Sequence, residues 1–292
     1  MTNVLRWHRP LTIFAAAMAV LALVAAIGAL ADPRVLTGAP IWLKPFKFAV
    51  SFVLYTLTLA WMLSLLERRS RVAERAATVL VAVSLAEMVV IVTQVIRGQT
   101  SHYNETTPLN AALWQVMSTS IMVLFVAHLV FGIVVLRRRI ADRVSAHAVR
   151  WGLGLFLLGT LVAVPMVQPD QYAHTVGAPD GGPGLPVLGW STTGGDLRIG
   201  HFVGMHALQA LPLLALLLGN RHDQLTRIRL LTVGGIAYGI LTVLLTWQAL
   251  RGLPLLQPDA LTLAAWAALA AATATATTLV VTRRRPALEL AA

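Results

Sequence analysis

Eight predominantly apolar runs, each about as long as a bilayer crossing, constrain this chain more than any other feature. They cover residues 11–31, 46–66, 76–95, 111–136, 149–167, 199–218, 230–250 and 260–282. A helical span needs about 20 predominantly apolar residues. In hydrocarbon every backbone polar group must be satisfied within its own segment, so each run predicts a transmembrane α-helix. The last run is rich in Ala and Thr and has the weakest hydropathy, but it carries no charge. Of the 292 residues, 57% are hydrophobic and 12% charged, against roughly 45–50% and 25% in soluble domains. The expected fold class is all-α: a polytopic transmembrane helical bundle whose solvent partner is the lipid bilayer.

The net charge of +11 does not point to nucleic acid, because no basic soluble domain exists to bind it. The basic residues sit instead in short clusters between spans. Arg6, Arg9, the group from Arg68 to Arg75, Arg137–Arg139, Arg143, Arg150, Arg221, Arg227, Arg229 and Arg283–Arg285 fall on one side. Arg34, Lys44, Lys47, Arg97, Arg198 and Arg251 fall on the other, a split of 17 to 6. The positive-inside rule then places both termini in the cytoplasm of a multi-pass cell-membrane protein. The first run ends at Asp32-Pro33 without a small-residue cleavage site, so it reads as a span rather than a signal peptide. The chain has no cysteine, which removes disulfides, thiolate metal sites and cysteine nucleophiles.

The halves echo each other. Lys44-Pro-Phe-Lys47-Phe48 and Arg198-Ile-Gly-His201-Phe202 open the second and sixth spans. Gln94-Val-Ile-Arg97-Gly98 and Gln248-Ala-Leu-Arg251-Gly252 end the third and seventh. Both pairs share a spacing of 154. Four spans return the chain to its starting side, so the expectation is a tandem parallel 4+4 repeat, 1–140 and 141–292. The second unit carries a Gly/Pro-rich outer loop, 168–198, with enough Leu and Val to read as an ordered cap or as a set of tight turns.

An axis along the membrane normal would gather Lys44, Lys47, Gln94 and Arg97 opposite Arg198, His201, Gln248 and Arg251. Two readings stand: an anion-binding vestibule, partly neutralised by Asp180, Asp196 and Glu105, or helix-end cations snorkelling to headgroups. Within the second span Lys47, Ser51, Tyr55 and Thr58 fall within roughly 80° of one another and form a polar stripe. Glu87 sits mid-span in the third helix, which makes it a functional candidate or a hydrogen-bonded structural carboxylate. His128 in the fourth span reads as a hydrogen-bonded core histidine.

Four histidines, His102, His174, His201 and His206, lie toward the outer side, which leaves haem or a metal ion possible. His201 and His206 point about 140° apart on one helix and cannot easily share an ion. Gln209 lies closer to the face of His206, and Gly200 with Gly204 forms a small-xxx-small pair with a packing explanation. Candidate acid–base residues are Glu87, His102 and His206. Candidate ligand-binding residues are Lys44, Lys47, Tyr55, Gln94, Arg97, Asp196, Arg198, His201, Gln209, Gln248 and Arg251. No Walker loop, nucleophile elbow, zinc-protease motif or dinucleotide fingerprint occurs.

Trp42-Leu-Lys44-Pro-Phe-Lys47-Phe48, Arg97-Gly-Gln-Thr-Ser-His102-Tyr-Asn104 and the stretch from Gly181 through His206 to Gln209 resemble a group of bacterial polytopic membrane proteins of unassigned function. That resemblance implies no activity. In outline alone, eight spans as four plus four, the chain is also similar to haem A synthase. That family implies paired haem histidines in equivalent helices; here Lys47 stands where the other half has His201, so haem ligation does not carry over. The function expected is a membrane-embedded enzyme or binding protein for an amphipathic or anionic, lipid-like small molecule. A transporter or a non-catalytic subunit of a membrane complex is the alternative.

Overall fold

The computed structural model describes residues 7–168, 170–219 and 221–282, so the clusters' Arg6 and Arg283–Arg285 lie outside it. The order is α1 (Arg9–Ala31), β1 (Val35–Leu36), β2 (Ala39–Pro40), α2 (Leu43–Ser64), α3 (Arg71–Ile96), α4 (Pro108–Arg137), α5 (Arg143–Leu161), β3 (Thr175–Val176), β4 (Gly195–Asp196), α6 (Leu197–Leu218), α7 (Gln224–Leu250) and α8 (Ala260–Thr282). All eight helices are long and apolar enough to cross a membrane. The chain is an all-α, multi-pass membrane bundle, and strand among the described residues is confined to two short antiparallel hairpins, β1–β2 and β3–β4.

Most helices start earlier than their apolar runs because polar caps lie outside the hydropathy signal. Ser70, Thr107, Asp142, Asp196 and Asp223 each accept a backbone N–H of the following first turn, satisfying donors that a helix start leaves orphaned. Thus α3 begins at Arg71 and α7 at Gln224. The fifth run differs more. Its helix stops at Leu161 and a 3-10 turn, Val164–Val167, follows. Pro165 in that turn has no N–H to continue the helical ladder.

Among the first four helices, α1 packs on α2 and α3, α2 on α3, and α3 on α4. Among the last four, α5 packs on α6 and α7, α6 on α7, and α7 on α8. The two sets meet where α2 touches α6 and α4 touches α5. Small residues permit the closest approaches. A Cβ on Gly204 would overlap Gly159 of α5, and one on Gly200 would overlap Thr246 of α7. The core toward the arginine-rich end is mainly apolar around Leu59, Met62, Leu80, Phe131 and Val135, with Thr56, Ser84 and His128 buried among the helices. Helix α8 stands outermost, with Thr262 as its one buried residue.

Loops at 32–42, 97–107, 162–196 and 251–259 share one end of the bundle. The longest folds back as a cap. Its hairpin β3–β4 contacts α7, and a second turn is closed by the Gly184–Ser191 bridge. Gly181 meets Thr37 of the first loop, and Gly177 meets Gly252 of the last. These contacts hold the loop against its neighbours at this end, and its parts are tight turns.

Candidate functional site: a cationic cluster beneath the cap

Lys44 and Lys47 lie one turn apart on the first turns of α2, and Arg198 starts α6, the helix against which α2 packs. Lys47 donates its Nζ to the carbonyl of Leu188 at 2.9 Å, and Arg198 donates Nη2 to the next carbonyl, Gly189, at 2.7 Å. Two cations from two helices therefore hold adjacent peptide oxygens of the cap turn. Val187 and Gly189 both have positive φ there, 65° and 67°, a conformation that costs a β-branched residue dearly. Lys44 donates to His102 Nδ1 at 3.1 Å and lies in the electrostatic range of Arg198, Lys47 and Glu87.

Charge balance is incomplete. Asp196 is the carboxylate in direct contact with this cluster, accepting from Arg198 Nε at 2.9 Å and Nη2 at 2.6 Å. It also accepts from the Ser191 N–H at 2.8 Å and caps α6 through the Arg198 N–H. Lys44 and Lys47 have only neutral partners, a histidine and a carbonyl. Glu87 is 5% exposed, and its Oε1 has no hydrogen-bond partner among the described residues.

A ring cluster walls this region. His102 lies 5.5 Å from Trp114 and 6.3 Å from His174 between ring centroids; Tyr103 lies 5.0 Å from both Trp114 and His174 and 4.7 Å from Tyr172. Tyr103 donates to the Met166 carbonyl, and Trp114 donates to the Tyr172 hydroxyl. Burial, with Asp180 nearby, pushes the Tyr103 phenol up to about 12. Burial, with Lys44 and His174 adding to it, holds His102 well below the ordinary histidine range.

The His102 shift has a sign that can be checked. A depressed folded pKa means that the unfolded chain takes up the proton first as pH falls through about 6.5. The neutral ring's contribution is thus present above that pH and lost below it. Thermal stability of wild type is expected to fall between pH 7.5 and 5.5 by more than that of His102→Gln. Parallel curves for the two proteins would refute the assignment.

His174 and Asp180 form a second arrangement, not anticipated as a pair. His174 Nδ1 meets Asp180 Oδ2 at 2.7 Å. Asp180 also accepts from the backbone N–H groups of His174 and Thr175 and from Thr175 Oγ1. Burial would raise the Asp180 carboxyl, but these bonds win and hold it well below the usual carboxylate range. The two residues are six apart with Gly and Pro between them, and only a folded turn brings them together; that turn signal was legible, its closure was not.

The remaining candidates go elsewhere. Gln94 donates to the Thr100 carbonyl and to Asn110, and Arg97 donates to Gln94 and Asn110, so the four polar groups clamp the α3–α4 loop. Gln248 donates to the Pro254 carbonyl, and Arg251 pairs with Asp259 and Thr262, clamping the α7–α8 loop in the same way. His201 Nδ1 meets the Gly159 carbonyl at 2.7 Å, binding α6 to α5, and His206 pairs with Gln209 within α6. Tyr55 bonds His128 Nδ1 at 2.9 Å deep in the bundle, where the imidazole also stacks on Phe156 at 3.8 Å. The His128 Nε2 has no hydrogen-bond partner among the described residues. Among the described residues, no three His, Asp or Glu side chains gather as ligands for a metal ion.

Comparison with family models, curated proteins and solved structures yields no match to this chain.

Proposed function

We propose that the cap end is a binding site for the anionic headgroup of a membrane-soluble amphiphile, closed by residues 168–196. One observation carries this reading. Three cations, Lys44, Lys47 and Arg198, converge from α2 and α6 with one carboxylate in contact. Unpaired charge at the edge of hydrocarbon is costly, and an anionic headgroup would remove that cost with charge-assisted bonds. The carbonyls of Leu188 and Gly189 then act as neutral placeholders that the headgroup oxygens displace. The core toward the arginine-rich end is mainly apolar, with Tyr55 and His128 its bonded polar pair, which favours binding or chemistry at one face over passage through the bundle.

In the same reading the cap faces outward and both termini face the cytoplasm, as the split of basic residues favours. The two halves form a tandem duplication. Each repeats one set of helix pairings. Gln94 and Gln248 each bond a carbonyl six residues ahead, and Gly98 and Gly252 take positive φ at matched places. Lys44 and Arg198, matched in the repeat, then face each other across the α2–α6 contact.

The test is binding of phosphatidic acid, with phosphatidylcholine as the neutral control, to the detergent-purified chain. Phosphatidic acid is expected to raise the melting temperature and phosphatidylcholine to leave it unchanged. Lys44→Met and Lys47→Met should each weaken binding by about tenfold or more, since a charge-assisted bond contributes about 1.5–3 kcal/mol. Equal responses to both lipids, or unchanged affinity in both variants, would overturn the proposal.

A further inference from the structure

We propose that His174, oriented by Asp180, is the proton-transfer group of the cap site and that the site hydrolyses a lipid phosphate monoester. This rests on the headgroup-binding reading and adds a reaction to it. The geometry has the parts such a reaction requires. A base needs a fixed orientation, and Asp180 supplies it: its oxygens are anchored by Thr175 and by the His174 backbone, and Oδ2 takes the His174 Nδ1 at 2.7 Å. A carboxylate on Nδ1 assigns the proton to that nitrogen and leaves Nε2 as the acceptor. The His174 side chain keeps 21% of its surface exposed, so water reaches it.

The same arrangement favours phosphate. Lys47 and Arg198 aim at two oxygens one peptide apart, and Lys44 stands alongside as a third donor. A carboxylate offers two oxygens; a tetrahedral phosphate offers three to such a set. The His174 ring lies tilted 6.3 Å from that of His102, the partner of Lys44, and Asp180 and Arg198 lie in mutual electrostatic range. The base and the cations thus lie in one electrostatic neighbourhood beneath the cap.

The step balances as follows. The oxygen of water bonds to phosphorus while one of its protons passes to His174 Nε2. The bond from phosphorus to the lipid oxygen breaks, and its electron pair stays on that oxygen. Nε2 returns the proton to it, giving a lipid alcohol and inorganic phosphate. The three cations hold the charge that builds on the equatorial oxygens.

The experiment measures inorganic phosphate released from phosphatidic acid in mixed micelles, and binding of the same lipid, on the full chain. Wild type is expected to bind and to release phosphate. His174→Gln should bind normally, keep its melting temperature and turn over about 100-fold more slowly or worse. If His174→Gln lowers the melting temperature, Asp180→Asn replaces it; there the rate should fall and its pH profile should shift while binding persists. Binding by wild type without phosphate release, or release by His174→Gln at the wild-type rate, would overturn the inference and leave the binding reading standing. Absence of binding would sink both.

Discussion

Gly159→Val is expected to leave almost no recoverable folded protein. Helices α5 and α6 approach at this glycine until a Cβ there would coincide with the backbone of Met205 and Gly204. Backbone atoms cannot rotate away as the end of a side chain can, so the helices must part. Overpacking of a tight site costs about 1–3 kcal/mol when side chains can adjust, and here none is available to adjust. Parting α5 from α6 would also pull His201 from the Gly159 carbonyl and unseat the start of α6, where Arg198 sits. The control is Gly154→Ala on the same helix, where a Cβ meets nothing within 4 Å. Yield of monodisperse protein and melting temperature should collapse for Gly159→Val and hold for Gly154→Ala. Equal behaviour of the two would show that the close approach is not what holds these helices.

Asp196→Ala should be the most damaging change in the cap. The carboxylate is fully buried and bonds Arg198, the Arg198 N–H and the Ser191 N–H at once. Its removal strands a guanidinium that is 26% exposed and frees the α6 N-terminus. Breaking a buried pair by losing one partner costs about 3–5 kcal/mol; partial exposure of Arg198 places this case toward the lower figure. Proteolysis within 177–190 should become fast, and phosphatidic acid binding should be lost. Asp259→Ala is the comparison. It removes the partner of Arg251 on the rim together with the bonds that cap the start of α8 at Thr262; the ion pair is exposed, so a smaller loss than for Asp196→Ala is expected. If the two variants have the same stability, the Asp196 network is not the anchor of the cap.

Much of this was legible because the bilayer simplifies the problem. Long apolar runs with at most one charge each can do little else, so all eight helices follow from the sequence. Their true starts were not legible, because Ser70, Asp142 and Asp223 act through local hydrogen bonds that hydropathy does not register. Lys44, Lys47 and Arg198 were legible as cations on the side where basic residues are scarce. Gln94, Arg97, Gln248 and Arg251 were grouped with them by position alone, and the structure turns them to their own loops. Residues at one level of a bundle need not face one centre; the direction depends on helix rotation, which an echo in sequence does not fix. The His174–Asp180 pair and the union of Tyr55 with His128 were hidden because each needs chain closure, through a turn in one case and across 73 residues in the other.

The contact between Lys47 and Leu188 spans 141 residues, and that separation sets an order of events during biogenesis. When α2 enters the membrane, the residues that cover its first turn have not been synthesised. Lys44 and Lys47 must wait at the interface, hydrated or held by headgroups, while three more helices insert. The cap can close only after α6 has delivered Arg198 and α7 has given β4 a surface to lie on. A chain interrupted before α7 would therefore carry spans without the surface on which β4 rests.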